Sequence, residues 1–177
     1  MRVVELMGAP CSGKSTVAMG LVYMLRQEGY KAELVTEVAK DLYWEGALQH
    51  TSQAHITRNQ IEKVMAMLTH SDIDFIVCDS AVASGEAYAK DGWEQATVRK
   101  LINTFYALVG TEMFLLDCNL DYTTTGRLQD ETEALHIKEQ LRAIAQQYRN
   151  TTRITAINTN QAVELILFLL CGAAYGG

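Results

Sequence analysis

Eight consecutive residues near the start of the chain have the composition of a phosphate-binding loop. The pattern G-x-x-x-x-G-K-[ST] is matched at every fixed position by Gly8-Ala9-Pro10-Cys11-Ser12-Gly13-Lys14-Ser15. Glycines let the backbone N–H groups of such a loop turn inward onto phosphate oxygens. The lysine reaches the outer phosphates, and the serine offers its hydroxyl to Mg²⁺. We therefore predict that this loop and the following Thr16 bind a nucleotide, with Lys14 as a catalytic cation and Ser15 as a metal ligand.

A carboxylate follows the apolar run Ile76-Val77-Cys78 and is the second candidate for phosphate chemistry. Asp79 stands where this predicted strand ends, so it is expected close to Ser15. A carboxylate at that place suits a Mg²⁺-bound water or an acceptor hydroxyl. The plainer alternative is that Asp79 and Ser80 cap a loop or helix. We predict Asp79 as a metal ligand and catalytic residue.

The elements that must position these residues alternate between short apolar strands and amphipathic helices. Strands are predicted at 3–7, 32–36, 74–78, 112–116 and 153–157, and helices at 14–28, 37–46 in part, 53–70, 93–108, 130–148 and 161–171. This alternation is typical of βαβ units, which form a parallel sheet covered by helices on both faces. Ligands then bind at the carboxyl ends of the strands.

Length and composition restrict the class of protein. The chain has 177 residues, which predicts one domain, and its net charge of -6 argues against a strongly basic nucleic-acid footprint. Its four cysteines have no C-x-x-C spacing, so we expect reduced thiols rather than a zinc site. No signal peptide or membrane-spanning run is recognisable, and a cytoplasmic protein is expected.

Motifs that the chain lacks narrow the choice among nucleotide-binding proteins. It has no N-K-x-D sequence of the kind that reads guanine and no L-S-G-G-Q sequence typical of transporter ATPases. Ser80 follows Asp79 where a motor ATPase usually has a water-activating glutamate. A GTPase, a transporter subunit and a motor are therefore disfavoured.

Four segments occur in the order seen in small P-loop kinases: the phosphate loop, Thr36-Glu37-Val38-Ala39-Lys40-Asp41, Ile76-Val77-Cys78-Asp79-Ser80 and Gly126-Arg127-Leu128-Gln129. The chain resembles phage-encoded nucleotide kinases and the ribosylnicotinamide kinase group, and more distantly the deoxynucleoside and nucleoside-monophosphate kinases. The resemblance implies a single P-loop kinase domain over residues 1–177. Its implied architecture is a three-layer α/β sandwich with a five-stranded parallel sheet in the order 2-3-1-4-5, and a short lid at about 119–131. It also implies transfer of a phosphoryl group from ATP with Mg²⁺.

The same resemblance suggests roles for single residues. It implies that Glu37 orients the acceptor hydroxyl, that Arg127 closes over the transferred phosphate, that Asn158 lies by the adenine, and that Gln60 reads a base edge or a sugar. The plainer alternatives are a helix-terminal glutamate, a solvated loop arginine, a helix cap and an exposed glutamine. Glu37 and Asp79 compete for the role of general base. Only Arg127 lies within the lid loop, which leaves a second phosphate contact unassigned.

Three hypotheses for the activity remain open at this stage. The first is a kinase that moves the γ-phosphoryl group of ATP to a hydroxyl or phosphate of a nucleoside or nucleotide. The second is a kinase of a hydroxymethyl pyrimidine base in phage DNA, acting in the cytoplasm of the bacterial host. The third is a nucleotide-binding switch or ATPase without an acceptor. The sequence leaves the acceptor and the oligomeric state open, a homodimer among the options.

Overall fold

A computed structural model describes residues 1–117, 131–148 and 150–172 of the chain. Five strands are present: β1 (Arg2–Met7), β2 (Ala32–Val35), β3 (Phe75–Cys78), β4 (Thr111–Leu116) and β5 (Thr151–Ile154). The α-helices of the described residues are α1 (Lys14–Gln27), α2 (Val38–Trp44), α3 (Gln53–Leu68), α4 (Gly92–Leu108), α5 (Glu131–Ala145) and α6 (Thr159–Cys171). Short 3-10 helices cover Leu48–His50 and Val82–Tyr88.

The strands form one parallel sheet in the order β2-β3-β1-β4-β5. The central strand β1 pairs with β3 on one side and β4 on the other, so that Val4 lies opposite Val77 and Glu112. This is the predicted fold class and strand order, and both are confirmed. The crossover places the carboxyl ends of β1, β2 and β3 at one edge of the sheet, where the loops that follow them meet.

Two apolar layers cover the sheet because successive side chains of a strand point to opposite faces. Val4 and Leu6 pack on one face with α1 and α6. Val3 and Met7 pack on the other face with α3, α4 and α5. Strands buried on both faces are apolar almost throughout, which explains why they were recognisable as short apolar runs. Within β1, Glu5 lies between Val3 and Met7 and is a charged residue that is completely buried.

Two details of the predicted elements are wrong. Strand β5 ends at Ile154, not at residue 157, because its pairing with β4 stops where Leu116 lies opposite Ile154. Ile157, beyond this end, is exposed. The spacing of apolar residues in α3 predicts that Met65 packs inward with Ile61 and Val64, but Met65 is 40% exposed. The buried face of that helix instead includes the polar Gln60.

No helix in residues 1–117, 131–148 and 150–172 is both long enough and apolar enough to span a bilayer. The predicted lid at about 119–131 lies, apart from the backbone of its last residue, outside the described residues. The assignment of residues 1–177 to one domain stays a prediction.

Candidate active site

The loop between β1 and α1 has a backbone that its sequence explains. A Cβ atom on Gly8 would lie 2.4 Å from the Ser12 Oγ and 3.2 Å from the Leu116 carbonyl oxygen, so only glycine fits there. Gly13 has a φ of 82°, a left-handed value that glycine adopts without strain. Cys11 has a φ of 66°, which is uncommon for a residue with a side chain. The loop therefore curls back on itself, as a phosphate-binding loop must.

The start of α1 is suited to an anion. Gly13 caps the helix and makes no side-chain hydrogen bond to it, and the first turn contains no acidic residue. The first N–H groups of a helix have no partner within it, and together with the helix dipole they favour negative charge. Phosphate binding at this end satisfies both the free donors and the positive end of the dipole.

Two ammonium groups rest on neutral oxygens of this loop. The Lys14 Nζ donates to the Gly8 carbonyl at 2.9 Å and to the Ala9 carbonyl at 3.3 Å. The Lys40 Nζ donates to the Ser15 Oγ at 3.2 Å. Positive charge is thus gathered around the phosphate loop in a chain whose net charge is -6.

The predicted metal ligands have suitable chemistry for Mg²⁺. Asp79 is only 4% exposed, and its Oδ1 atom is buried without a hydrogen-bond partner among the described residues. Its backbone N–H donates to the Val35 carbonyl at 2.9 Å, which fixes it just beyond the end of β3. A carboxylate and the Ser15 hydroxyl are the hard oxygen donors that Mg²⁺ takes alongside phosphates. These two residues therefore fit the ion; when bound, it would supply charge neutralisation at the phosphates.

A cavity of about 800 Å³ extends from the phosphate loop across the carboxyl edge of the sheet. Residues 10–16 form one wall. The other walls come from α2, the 48–52 segment, α3 and the Val82–Tyr88 helix, with Lys90 and Glu94 around the start of α4. Lys14, Ser15 and Glu37 line it together. Asp79 does not line the cavity, although its neighbour Ser80 does. Glu37 therefore faces the cavity, whereas Asp79 is buried and adjoins the cavity through Ser80.

Glu37 is held at the junction of β2 and α2. It occupies the N-cap position of α2 in an extended conformation, and its side chain makes no capping hydrogen bond. The first N–H of that helix, from Val38, instead donates to the Gln60 Oε1 at 2.9 Å. The amide of α3 therefore caps this helix, and Glu37 lines the cavity at the junction of the two elements.

The wall facing the phosphate loop carries polar atoms that are buried and unpaired within the described residues. The Gln60 Nε2 and the Ser84 Oγ are of this kind, and each residue is 5% exposed. The 3-10 helix approaches α3 so closely at Gly85 that a Cβ there would lie 2.5 Å from the Thr57 Oγ1. Aromatic side chains also line the cavity: Tyr43, Trp44 and Tyr88. This wall offers flat apolar surfaces and a few hydrogen-bonding groups, a combination typical of small-molecule sites.

A buried acid ties the strand before the phosphate loop to this wall. The Glu5 carboxylate accepts hydrogen bonds from the Val82 N–H at 2.9 Å and the Tyr106 hydroxyl at 2.8 Å. The Tyr106 hydroxyl in turn accepts from the Ala83 N–H at 3.2 Å. Complete burial raises the pKa of Glu5 to about 6, although these hydrogen bonds act in the opposite direction. The start of the 3-10 helix is therefore anchored on β1.

Other predicted residues lie elsewhere or cannot be placed. The Asn158 Oδ1 accepts from the Gln161 N–H at 2.9 Å and caps α6, the plainer of its two readings, so its contact with adenine stays a prediction. Arg58, a further candidate cation, is exposed and does not line the cavity. Arg127 lies outside the described residues, and its role stays a prediction.

Three cations surround one carboxylate where β4 ends. Asp117 pairs with Lys138 at 2.8 Å, with Arg142 at 2.7 Å and with Arg153. Although burial acts to raise the pKa of Asp117, the hydrogen bonds from Lys138, Arg142 and Arg153 hold it well below its usual value. As an arginine on the helix after the lid, Arg142 could also be expected to contact a phosphate, but in this structure it pairs with Glu139 as well as Asp117. The cluster fixes α5 and β5 to the end of β4.

The sequence reasoning missed two residues of this site. Lys40 could have been noticed because it lies one helical turn after Glu37, on the same face of a helix. Ser84 lies within a short Ala/Gly/Ser-rich segment that has no periodic pattern, so nothing local indicated that it faces a cavity.

Comparisons with known proteins agree with this architecture. The sequence model described as "AAA domain" matches residues 3–161. A comparison with curated protein sequences finds no match. Among solved structures, thymidylate kinase from Ehrlichia chaffeensis is similar, with a TM-score of 0.64 and 18% identity over 96% of this chain and 98% of that one. The APS kinase of Mycobacterium tuberculosis has a TM-score of 0.50 and 16% identity, with 96% of each chain covered. The fold is therefore that of the P-loop kinases.

Proposed function

We propose that this chain, which belongs to the AAA domain family, is an ATP-dependent phosphotransferase. In this proposal the γ-phosphoryl group of ATP passes to a hydroxyl or phosphate of a nucleoside or nucleotide. A relationship to phage-encoded nucleotide kinases, which the sequence resembles, is part of the proposal. The similar solved structures, a thymidylate kinase and an APS kinase, have a compatible fold.

One observation supports transfer over simple ATP hydrolysis: the cavity is larger than the phosphate loop requires. It continues to a separate wall formed by α2, α3 and the Val82–Tyr88 helix. The Gln60 Nε2 and the Ser84 Oγ on that wall have no hydrogen-bond partner among the described residues. A second organic substrate with hydrogen-bonding atoms would satisfy them.

The chemistry of that wall points to a planar acceptor. The Gln60 Oε1 is already used by the Val38 N–H, so only the Nε2 donor is available. It would donate to a carbonyl oxygen or ring nitrogen, as a nucleobase provides. Tyr43, Trp44 and Tyr88 supply aromatic surface for the ring.

The two carboxylates divide the work in this proposal. Glu37 lines the cavity and would accept the proton of the acceptor hydroxyl directly or through one water. Asp79 is buried beneath and would serve the metal with Ser15. Lys14 and the donors at the start of α1 would stabilise charge on the phosphates. Arg127 would complete this positive field from the lid.

The experiment is an acceptor panel with γ-labelled ATP and Mg²⁺. It contains nucleosides, nucleotides, nicotinamide riboside and DNA with hydroxymethyluracil. We expect transfer to a member of the nucleoside or nucleotide group. Transfer to the modified DNA alone would favour the second hypothesis, whereas ATP binding and hydrolysis without transfer to any member would contradict the proposal.

A matched pair of variants tests the acceptor wall. Gln60→Glu keeps an oxygen for the Val38 N–H but removes the free donor, and Ser84→Ala removes the unpaired hydroxyl. Each should raise the KM for the acceptor about fivefold to tenfold, since a hydrogen bond is worth about 1 kcal/mol. The affinity for ATP should stay unchanged. A change in ATP affinity with an unchanged acceptor KM would show that these residues contact ATP and not the acceptor, and would contradict this assignment.

A further inference from the structure

Lys40 is a cation of the cavity to which the sequence assigns no role. It lies on α2, one turn after Glu37, and its Nζ donates to the Ser15 Oγ at 3.2 Å. Ser15 is the residue whose hydroxyl is predicted to bind the metal. Lys40 also lines the cavity beside the phosphate loop. An ammonium group therefore occupies the oxygen that a divalent ion would need.

The contact that holds Lys40 is weak by comparison with its neighbour. Lys63 also lies against α2, but its Nζ pairs with the Asp41 Oδ2 at 2.6 Å. Within residues 1–117, 131–148 and 150–172, no carboxylate lies within 4.0 Å of the Lys40 ammonium. An ammonium group that donates to a neutral hydroxyl moves readily to a negatively charged acceptor, because hydrogen bonds between two ions are shorter and stronger.

Lys14 shows the same arrangement on the other side of the loop. Its ammonium rests on the carbonyl oxygens of Gly8 and Ala9, which are also neutral acceptors. Lys14 belongs to the phosphate-binding pattern and is expected to move to a phosphate oxygen. Like Lys14, Lys40 donates to a neutral oxygen, lies at the phosphate loop and faces the cavity.

We propose that Lys40 is the second cation for the terminal phosphate of the nucleotide, and that it releases the Ser15 hydroxyl when Mg²⁺ and nucleotide bind. This inference rests on the proposed function in one respect: it takes the nucleotide to be ATP. A divalent ion on the Ser15 oxygen repels an ammonium group on the same atom. The negative phosphate beside it attracts that group, and the long flexible stem of lysine allows the move. Lys40 thereby provides the phosphate contact that a lid loop with only Arg127 leaves unassigned.

The test compares nucleotide affinities rather than activity. Lys40→Ala and the matched control Lys63→Ala remove the same charge from neighbouring positions, but Lys63 does not line the cavity. Binding of a non-hydrolysable ATP analogue and of ADP is measured by calorimetry in the presence of Mg²⁺, with no acceptor present. Lys40→Ala should weaken the ATP analogue about tenfold or more, and ADP less than about threefold, since a hydrogen bond to a charged group is lost only with the former. Lys63→Ala should change both affinities equally and little, and Lys40→Arg should retain most of the affinity for the analogue.

A second measurement addresses the release of Ser15. The Mg²⁺ concentration that half-saturates ADP binding should fall in Lys40→Ala, because the ammonium group no longer competes for the hydroxyl. An equal loss of ADP and analogue affinity in Lys40→Ala, or the same behaviour in Lys40→Ala and Lys63→Ala, would overturn the inference. An unchanged Mg²⁺ requirement would overturn the release step.

Failure of this inference and failure of the proposed function are distinguishable. If the affinities behave as expected and no acceptor in the panel is phosphorylated, the proposed transfer is wrong and the role of Lys40 stands. If an acceptor is phosphorylated and the two lysine variants bind nucleotide alike, the role of Lys40 is wrong and the proposed function stands.

Discussion

Replacing Glu5 with glutamine should remove a pH dependence of the protein's stability. The Glu5 carboxyl is completely buried between two strands, and this burial raises its pKa from 4.5 to about 6. Such a rise means that ionising the Glu5 carboxyl costs about 2 kcal/mol more in the folded state than in the unfolded state. Glutamine has nearly the same shape, keeps an oxygen for the Val82 N–H and carries no charge at any pH. Its NH2 group replaces the acceptor of the Tyr106 hydroxyl, a cost that does not change with pH.

The sign of the effect follows from proton binding. Below pH 4.5 the carboxyl is protonated in both states, and its ionisation costs no stability. Between pH 4.5 and about 6 the folded protein keeps a proton that the unfolded chain has lost, so the free energy of unfolding falls as the pH rises. Above that range the full penalty of about 2 kcal/mol is present. For a chain of this size it corresponds to a Tm lower by about 4–8 °C.

The assay is urea denaturation followed by circular dichroism at a series of pH values from about 4 to 8. The unfolding free energy of Glu5→Gln relative to the wild type should shift by about 2 kcal/mol in favour of the variant from the acid end to the alkaline end of the series. A difference that stays constant across the series would refute the reasoning. The Asp117 cluster does not mimic this effect, because the pKa of Asp117 is lowered and its contribution is lost only as the pH falls below its ordinary value.

A second variant shifts the transition instead of removing it. The hydrogen bond from the Tyr106 hydroxyl lowers the pKa of Glu5, against the larger effect of burial. Tyr106→Phe should therefore move the loss of stability to higher pH. It should also destabilise the protein at every pH by about 1–3 kcal/mol, because the Ala83 N–H loses its acceptor. A transition at lower pH would show that the hydroxyl does not stabilise the ionised carboxylate.

Three further predictions concern the phosphate site. Lys14→Ala should abolish phosphoryl transfer, raising the barrier by several kcal/mol in single-turnover kinetics, and transfer at the wild-type rate would remove Lys14 from the site. Gly8→Ala should weaken nucleotide binding at least about tenfold in calorimetry because its Cβ would lie 2.4 Å from the Ser12 Oγ, whereas Gly110→Ala, with open space around it, should bind normally. Arg127→Ala should lower turnover more than it weakens ATP binding, and equal turnover would exclude the lid from catalysis.

The parts of the site that sequence could predict are those in which function depends on consecutive residues. The phosphate loop is local: its glycines, Lys14 and Ser15 lie within eight positions, and the backbone angles at Gly13 follow from the residue type. Strands β1 and β3 were recognisable because burial on both faces makes them apolar almost throughout, whereas the edge strand β5 is half exposed and its bounds were predicted wrongly. The strand order, by contrast, came from the resemblance to P-loop kinases, since apolar runs do not specify which strands are neighbours.

The remaining parts depend on contacts between distant segments. The hydrogen bond of Gln60 to Val38 joins α3 to α2 over 22 positions, and it decides that only the amide nitrogen of Gln60 is available. The 3-10 helix that contains Ser84 has no periodic apolar pattern and is held by Glu5, a residue 77 positions before Val82. None of these pairings is visible in a local window of sequence.

The energetic cost of Glu5 is offset by the groups that it satisfies. Replacing it with leucine would remove the penalty of about 2 kcal/mol at neutral pH. It would also leave the Val82 N–H and the Tyr106 hydroxyl without their acceptor, at about 1–3 kcal/mol each. The apolar replacement is therefore no more stable and releases the start of the Val82–Tyr88 helix, which forms a wall of the cavity. Since β1 also leads into the phosphate loop, this carboxylate sets the position of the proposed acceptor wall relative to the nucleotide.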